Sequence, residues 1–125
     1  MSTAGYSAMV LELYARAPGA GRPDGPGWGS GEGREPLTAT HVRFHLQAAD
    51  GRISAVRYEV RGCPHTMALA ALAAARLPGQ PLAAPALDLR ALGQELGAPA
   101  GKLGRFLAVQ ESVMQAALQL ARTTA

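Results

Sequence analysis

Gly62-Cys63-Pro64-His65-Thr66 is the one stretch of this 125-residue chain whose residue types and spacing suggest chemistry. Proline is tolerated at the first helical position, where its missing N–H has no partner to lose, so Pro64 marks a helix start and Cys63 falls at its cap. Backbone N–H groups converge there and carry partial positive charge, which favours a thiolate, and a protonated His65 would add to it. A cysteine so placed is a candidate nucleophile, sulfur acceptor or metal ligand. The plainer alternative is a small buried cap residue, because unpaired cysteine is among the most buried residue types.

Other constellations carry less. His41 and His45 share a strand face with Arg43 between them, so metal binding by the pair would need ligands from elsewhere, and a solvated polar face accounts for them. Gly25 to Gly33 is rich in glycine but lacks the Lys-Ser or Lys-Thr and the preceding strand of a phosphate loop. Arg43, Arg52, Arg57 and Arg61 form no stripe interleaved with aromatics, and Glu59 interrupts them, which argues against nucleic acid. The formal net charge of +3 agrees. A single cysteine excludes an internal disulfide and any multi-thiolate zinc framework. With 48% apolar and 17% charged residues and no apolar run of membrane-spanning length, the chain reads as one soluble domain. The first residues lack the basic and apolar regions of a secretory leader, which makes the cytoplasm the expected compartment.

The elements that must position Cys63 follow from periodicity. Tyr6, Met9, Val10, Leu13 and Tyr14 recur at helical spacing up to Pro18. From Pro18 to Pro36 glycine and proline fill eleven of nineteen positions, so a mobile loop is expected there, with a short edge strand near Trp28. Period-two alternation on both sides of Asp50-Gly51 predicts a hairpin. Val42, Phe44, Leu46, Ala48, Val56, Tyr58 and Val60 point to a core, while His41, Arg43, His45, Gln47, Arg57, Glu59 and Arg61 point away. Met67 to Leu77 is an alanine- and leucine-rich helix expected to be buried on most sides and to pack on the hairpin. A linker at 80–85, a short helix at 88–96 and a long one at 103–122 complete an α+β domain, with helices on one face of a small antiparallel sheet.

The order of elements and several residues resemble the scaffold family of iron–sulfur cluster assembly, the IscU proteins and the N-terminal domain of NifU. Tyr6-Ser7 with Val10 and Tyr14 is similar to that family's opening helix. The hairpin ending in Gly62-Cys63 and running into a small-residue helix resembles the segment that carries its second cysteine. Glu95-Leu96, Pro99 and Lys102-Leu103 are similar to the portion where a Pro-Pro-Val-Lys stretch precedes the third cysteine. The resemblance spans nearly all of residues 1–125 and implies a single domain with a Gly/Pro-rich loop at 18–36.

It also implies where ligands are missing. Thr38 and Thr40 stand at the positions of the family's first cysteine and its aspartate, and Gly104 and Arg105 at those of the histidine and third cysteine. Cys63 alone survives, with His65 as a remote further donor for iron. A two-iron cluster wants four protein ligands, and a guanidinium has no lone pair to donate, so no stable cluster is expected on a single chain. Three functions remain open. The first is a divergent scaffold-like protein that binds iron, or a cluster bridged between the Cys63 thiolates of a homodimer. The second is a single-cysteine sulfur acceptor for a cysteine desulfurase, a role that SufE proteins fill on a related fold. The third is a docking module without chemistry. The resemblance implies cluster-assembly proteins as partners, and neither nucleic acid nor membrane is expected.

Overall fold

A computed structural model describes residues 5–124, with side chains through residue 123. Met1 to Ala4, where the segment read as lacking a leader begins, lie outside them. The elements are α1 (Ala8–Arg16), β1 (Gly29–Glu35), β2 (Thr40–Ala49), β3 (Arg52–Arg61), α2 (Pro64–Arg76), α3 (Leu89–Leu96) and α4 (Leu103–Thr124). Short 3-10 turns at Pro36–Thr38 and Ala100–Lys102 join β1 to β2 and lead into α4. The three strands form one antiparallel sheet in the order β1-β2-β3, and the helices pack on it, so the chain is α+β as expected.

The hairpin has the expected register. Val42 faces Val60, Phe44 faces Tyr58 and Leu46 faces Val56, with Asp50 and Gly51 both at positive φ as a tight two-residue turn requires. Val42, Phe44, Leu46 and Tyr58 are completely buried, and the Phe44 and Tyr58 rings stack at 5.7 Å. Val56 and Val60 are half-buried at the sheet's margin. Ala48 packs against the core as read, but the pairing shifts from Gln47–Ala55 to Ala48–Ile53, which leaves Ser54 as the extra residue on β3 and turns Ile53 into the core.

Two expectations are corrected. The Gly/Pro segment is not a loop throughout, because β1 is a full seven-residue strand paired along β2 from Gly29–Leu46 to Glu35–Thr40. Its first part is also tied down: the Tyr58 hydroxyl donates to the Pro18 carbonyl at 2.8 Å, Gly21 N–H to the Tyr58 carbonyl, and the Gln47 amide to the Pro26 carbonyl. The helix that covers the sheet is also not chiefly α2. Helix α4 lies along β1 and β2, whereas α2 touches β3 and is otherwise enclosed by α1, α3 and α4. That enclosure buries nine of its residues, which its unbroken alanine and leucine run did anticipate.

Glycine explains why α4 takes the sheet. Gly29, Gly31 and Gly33 alternate along β1 and turn the same face to the helix. A Cβ on Gly33 would collide with the Ala108 carbonyl, one on Gly31 with the backbone at Ser112 and Ala116, and one on Gly29 with Ala116 and Leu120. The repeats match: two strand residues advance about 6.8 Å and four helical residues about 6 Å. Residues 108, 112, 116 and 120 therefore step down the helix as 33, 31 and 29 step along the strand, and backbone packs on backbone.

Gly33→Ala should cost about 3 kcal/mol or more, since a methyl there must push backbone rather than a side chain. Urea denaturation of the variant checks this, and a loss near zero would show that α4 does not sit on β1 in this way.

Candidate functional site

Continued past Gly33, the same contact brings Glu35 against Gly104, whose added Cβ would meet the Glu35 Cγ at 3.9 Å. This carries the first turn of α4 across the end of the sheet where β3 passes into α2. Cys63 caps α2 with extended backbone and Pro64 at the first helical position, and its carbonyl accepts the Met67 N–H at 3.1 Å. Three groups approach the half-buried sulfur. The Thr66 hydroxyl lies 3.4 Å from Cys63 Sγ, Arg105 Nη1 3.5 Å and Lys102 Nζ 3.7 Å. Cysteine and threonine three residues apart fall on one face of a helical turn, which is why Thr66 reaches the sulfur.

Burial alone would push the Cys63 thiol up. The Thr66 hydroxyl and N–H, the Lys102 charge and the Arg105 guanidinium outweigh it and bring the thiol down to about 7. Near neutral pH a substantial share is thiolate, the form that attacks sulfur and binds metals.

Thr38, Thr40, Gly104 and Arg105 all lie at this end of the sheet. Arg105 contacts the sulfur. Thr40 is buried, its methyl 3.4 Å from where a Gly62 Cβ would lie, and its hydroxyl sits 2.7 Å from that of Thr38. Thr38 is bonded in turn to Glu35 through both its hydroxyl and its N–H. The Glu35 carboxyl is held below the usual carboxylate range, first by the Thr38 hydroxyl and, against burial, by the Thr38 and Leu37 N–H groups and the Arg105 charge. Arg105 thus contacts the sulfur and acts on the Glu35 carboxylate by its charge. Gly104 only packs.

His65 does not add positive charge. It is 2% exposed, and its ring lies 4.7 Å from the Tyr6 ring. Burial first and then the Lys102 charge hold its pKa below the ordinary histidine value, with the Gly5 backbone opposing and Arg105 adding to the depression, so it is neutral. The histidines on the hairpin are also not simply solvated: His45 is buried and bonded at both ring nitrogens. Lys102, Thr66 and Glu35 are the site residues that sequence reasoning gave no role. Only the spacing of Thr66 from the cap could have pointed to one of them.

No model of a known protein family matches the chain, and no curated protein sequence aligns with it significantly. Solved structures do. A protein from the thermophile Fervidobacterium islandicum AW-1, assigned as an iron–sulfur cluster assembly scaffold for the SUF system, superposes with a TM-score of 0.70 over 94% of this chain and 99% of its own, at 15% identity. The N-terminal part of a NifU-like nitrogen-fixation protein from Brucella abortus superposes with a TM-score of 0.54 over 93% of this chain and 89% of its own, at 18% identity. The chain has the IscU/NifU scaffold fold. On that fold Cys63 keeps a thiol at the start of α2, but among the described residues no group of three or more His, Cys, Asp or Glu comes together to hold a metal ion. Around the sulfur stand two cations and the Thr66 hydroxyl.

Iodoacetamide labelling of Cys63 should therefore rise with pH through about 7, following the thiolate. Replacing Arg105 with Glu removes a stabilising cation and adds a repelling charge, so labelling at pH 7 should slow several-fold and its midpoint move up. A midpoint indifferent to Arg105 would mean that the guanidinium does not act on the sulfur.

Proposed function

We propose that the chain serves iron–sulfur cluster assembly in the cytoplasm as a sulfur acceptor, with Cys63 taking sulfane sulfur from the persulfide of a cysteine desulfurase. The observation that carries this is the pair of cations at 3.5 and 3.7 Å from the only thiol. The scaffold fold, shared with proteins described as cluster-assembly components, supports the pathway. Residue chemistry supports the step. Transfer needs one nucleophilic thiolate and no metal. The Cys63 thiolate attacks the terminal sulfur of the donor persulfide, an S–S bond to Cys63 forms as the donor's S–S bond breaks, and the donor cysteine leaves as thiolate while the proton stays on the transferred sulfur. Arg105 and Lys102 stabilise the anion before and after.

Iron as cargo fits this sulfur less well. A ferric ion approaching Sγ meets both cations, and Thr38, Thr40, Gly104 and Arg105 supply neither thiolate nor imidazole. A cluster bridged through Cys63 of two chains would have to displace Lys102 and Arg105 from both sulfurs. A donor protein has an apolar contact to cover beside the site: Leu37, two residues after Glu35, is 94% exposed, and Leu103, next to Gly104, partly so.

Incubated with a desulfurase and cysteine, the intact chain should gain the mass of one sulfur atom at Cys63, reversibly with dithiothreitol. Cys63→Ser should gain none, and Arg105→Glu should gain it at least several-fold more slowly. Given iron and sulfide anaerobically instead, the protein should stay colourless and monomeric. A brown monomer with charge-transfer bands, or no sulfur gained by a folded protein whose Cys63 is alkylated readily, would overturn the proposal.

A further inference from the structure

The opposite face of the sheet holds a second constellation that the thiol chemistry does not use. Ser30 on β1 pairs with His45 on β2. The Ser30 hydroxyl lies 2.6 Å from His45 Nδ1, and His45 Nε2 lies 2.9 Å from Glu59 Oε1 on β3. Glu59 is held from the far side by Arg22 at 3.6 Å. The ring between them is 4% exposed. Satisfying a buried histidine would explain both hydrogen bonds, but the row also ends beside a cleft: Ser30 is one of the residues lining a space of about 610 Å³ along the free edge of β1, with Glu32 and Arg43 from its own sheet face and Gln119 from α4. The site sits five residues along β1 from Glu35, roughly 17 Å from the Cys63 end.

The order of the groups sets the direction of proton transfer. The Glu59 carboxyl is held below the usual range, first by its hydrogen bond from His45 and, against burial, by the charges of His45, Arg22 and Arg43. An ionised carboxylate accepts the Nε2 proton and so fixes the tautomer in which Nδ1 carries a bare lone pair facing the Ser30 hydroxyl. Gln119 accepts the Ser30 backbone N–H through its amide oxygen, which leaves its NH2 as a donor in the same cleft. Glu32 and Glu111 offset Arg43 and Arg122 along the walls, and Leu118 adds an apolar side.

We propose that Ser30 is the nucleophile of an acyl-transfer site, with His45 as its general base, Glu59 as the residue that positions the ring, and a short uncharged ester as substrate. The Ser30 Oγ bonds to the acyl carbon as the ester's bond to its alcohol breaks. The hydroxyl proton passes to Nδ1 and then to the departing alkoxide. Water, deprotonated by the same nitrogen, releases the acid and restores Ser30. The Gln119 amide donates to the carbonyl oxygen as it gains charge. Nothing in this scheme depends on sulfur transfer at Cys63.

A fluorophosphonate probe on the full-length chain tests it, since attack by an activated serine forms an O–P bond and expels fluoride. Tryptic cleavage after Arg16 and Arg34, with the Arg22-Pro23 bond resistant, isolates residues 17–34, in which Ser30 is the only hydroxyl side chain. The expected result is a single adduct on that peptide, absent in Ser30→Ala. His45→Gln should slow labelling at least a hundredfold; because that ring is buried, Glu59→Gln, at a half-exposed position, provides a second arm and should slow it at least tenfold, with Glu59→Asp restoring most of the rate. No adduct on the folded wild type, an adduct elsewhere, or equal rates in wild type and Glu59→Gln would overturn the proposal and leave the row as a structural hydrogen-bond chain.

Discussion

Helix α4 can reach β1 only because β1 has no side chains on that face, and much of the molecule follows from that close approach. Gly29, Gly31 and Gly33 let Ala108, Ser112 and Ala116 settle on the strand backbone. Once the helix is fixed along the strand, its first turn must end over Glu35 and beside the cap of α2. Lys102 and Arg105 are thus delivered to Cys63 by packing along β1, rather than by anything local to the thiol.

The charges at that end are arranged for an anion rather than for a metal. Two cations and a hydroxyl approach one sulfur, while Glu35 is held by its own bonds to the 3-10 turn at Pro36–Thr38. Thr38 bonds both Glu35 and Thr40, and neutral His65 packs against Tyr6. The half-buried thiol is thus surrounded by groups that hold a negative sulfur.

What the sequence revealed was local. The hairpin was legible because alternation and an Asp-Gly turn are short-range signals, and the α2 start because a cysteine and a proline fall where a cap and a first helical residue belong. Strand β1 was legible only as a short edge strand near Trp28, since glycine carries the signature of a loop and its meaning here is complementary to residues seventy-five or more positions away. The burial of His45 was hidden for the same reason: alternation puts it on a polar face, and only the partners Ser30 and Glu59 on two other strands show how that face is closed. Arg105 beside Cys63 was anticipated only through the family resemblance, and Lys102 was noticed there as a remnant of a motif, not as a charge for the thiolate.

The account stands on Cys63 being an anion held by cations. The direct measurement is the thiolate absorbance near 240 nm, titrated with pH on the intact protein and corrected by the Cys63→Ser chain. A midpoint near 7 is the result the structure predicts. A midpoint at or above the free-cysteine value of about 8.5 would contradict it.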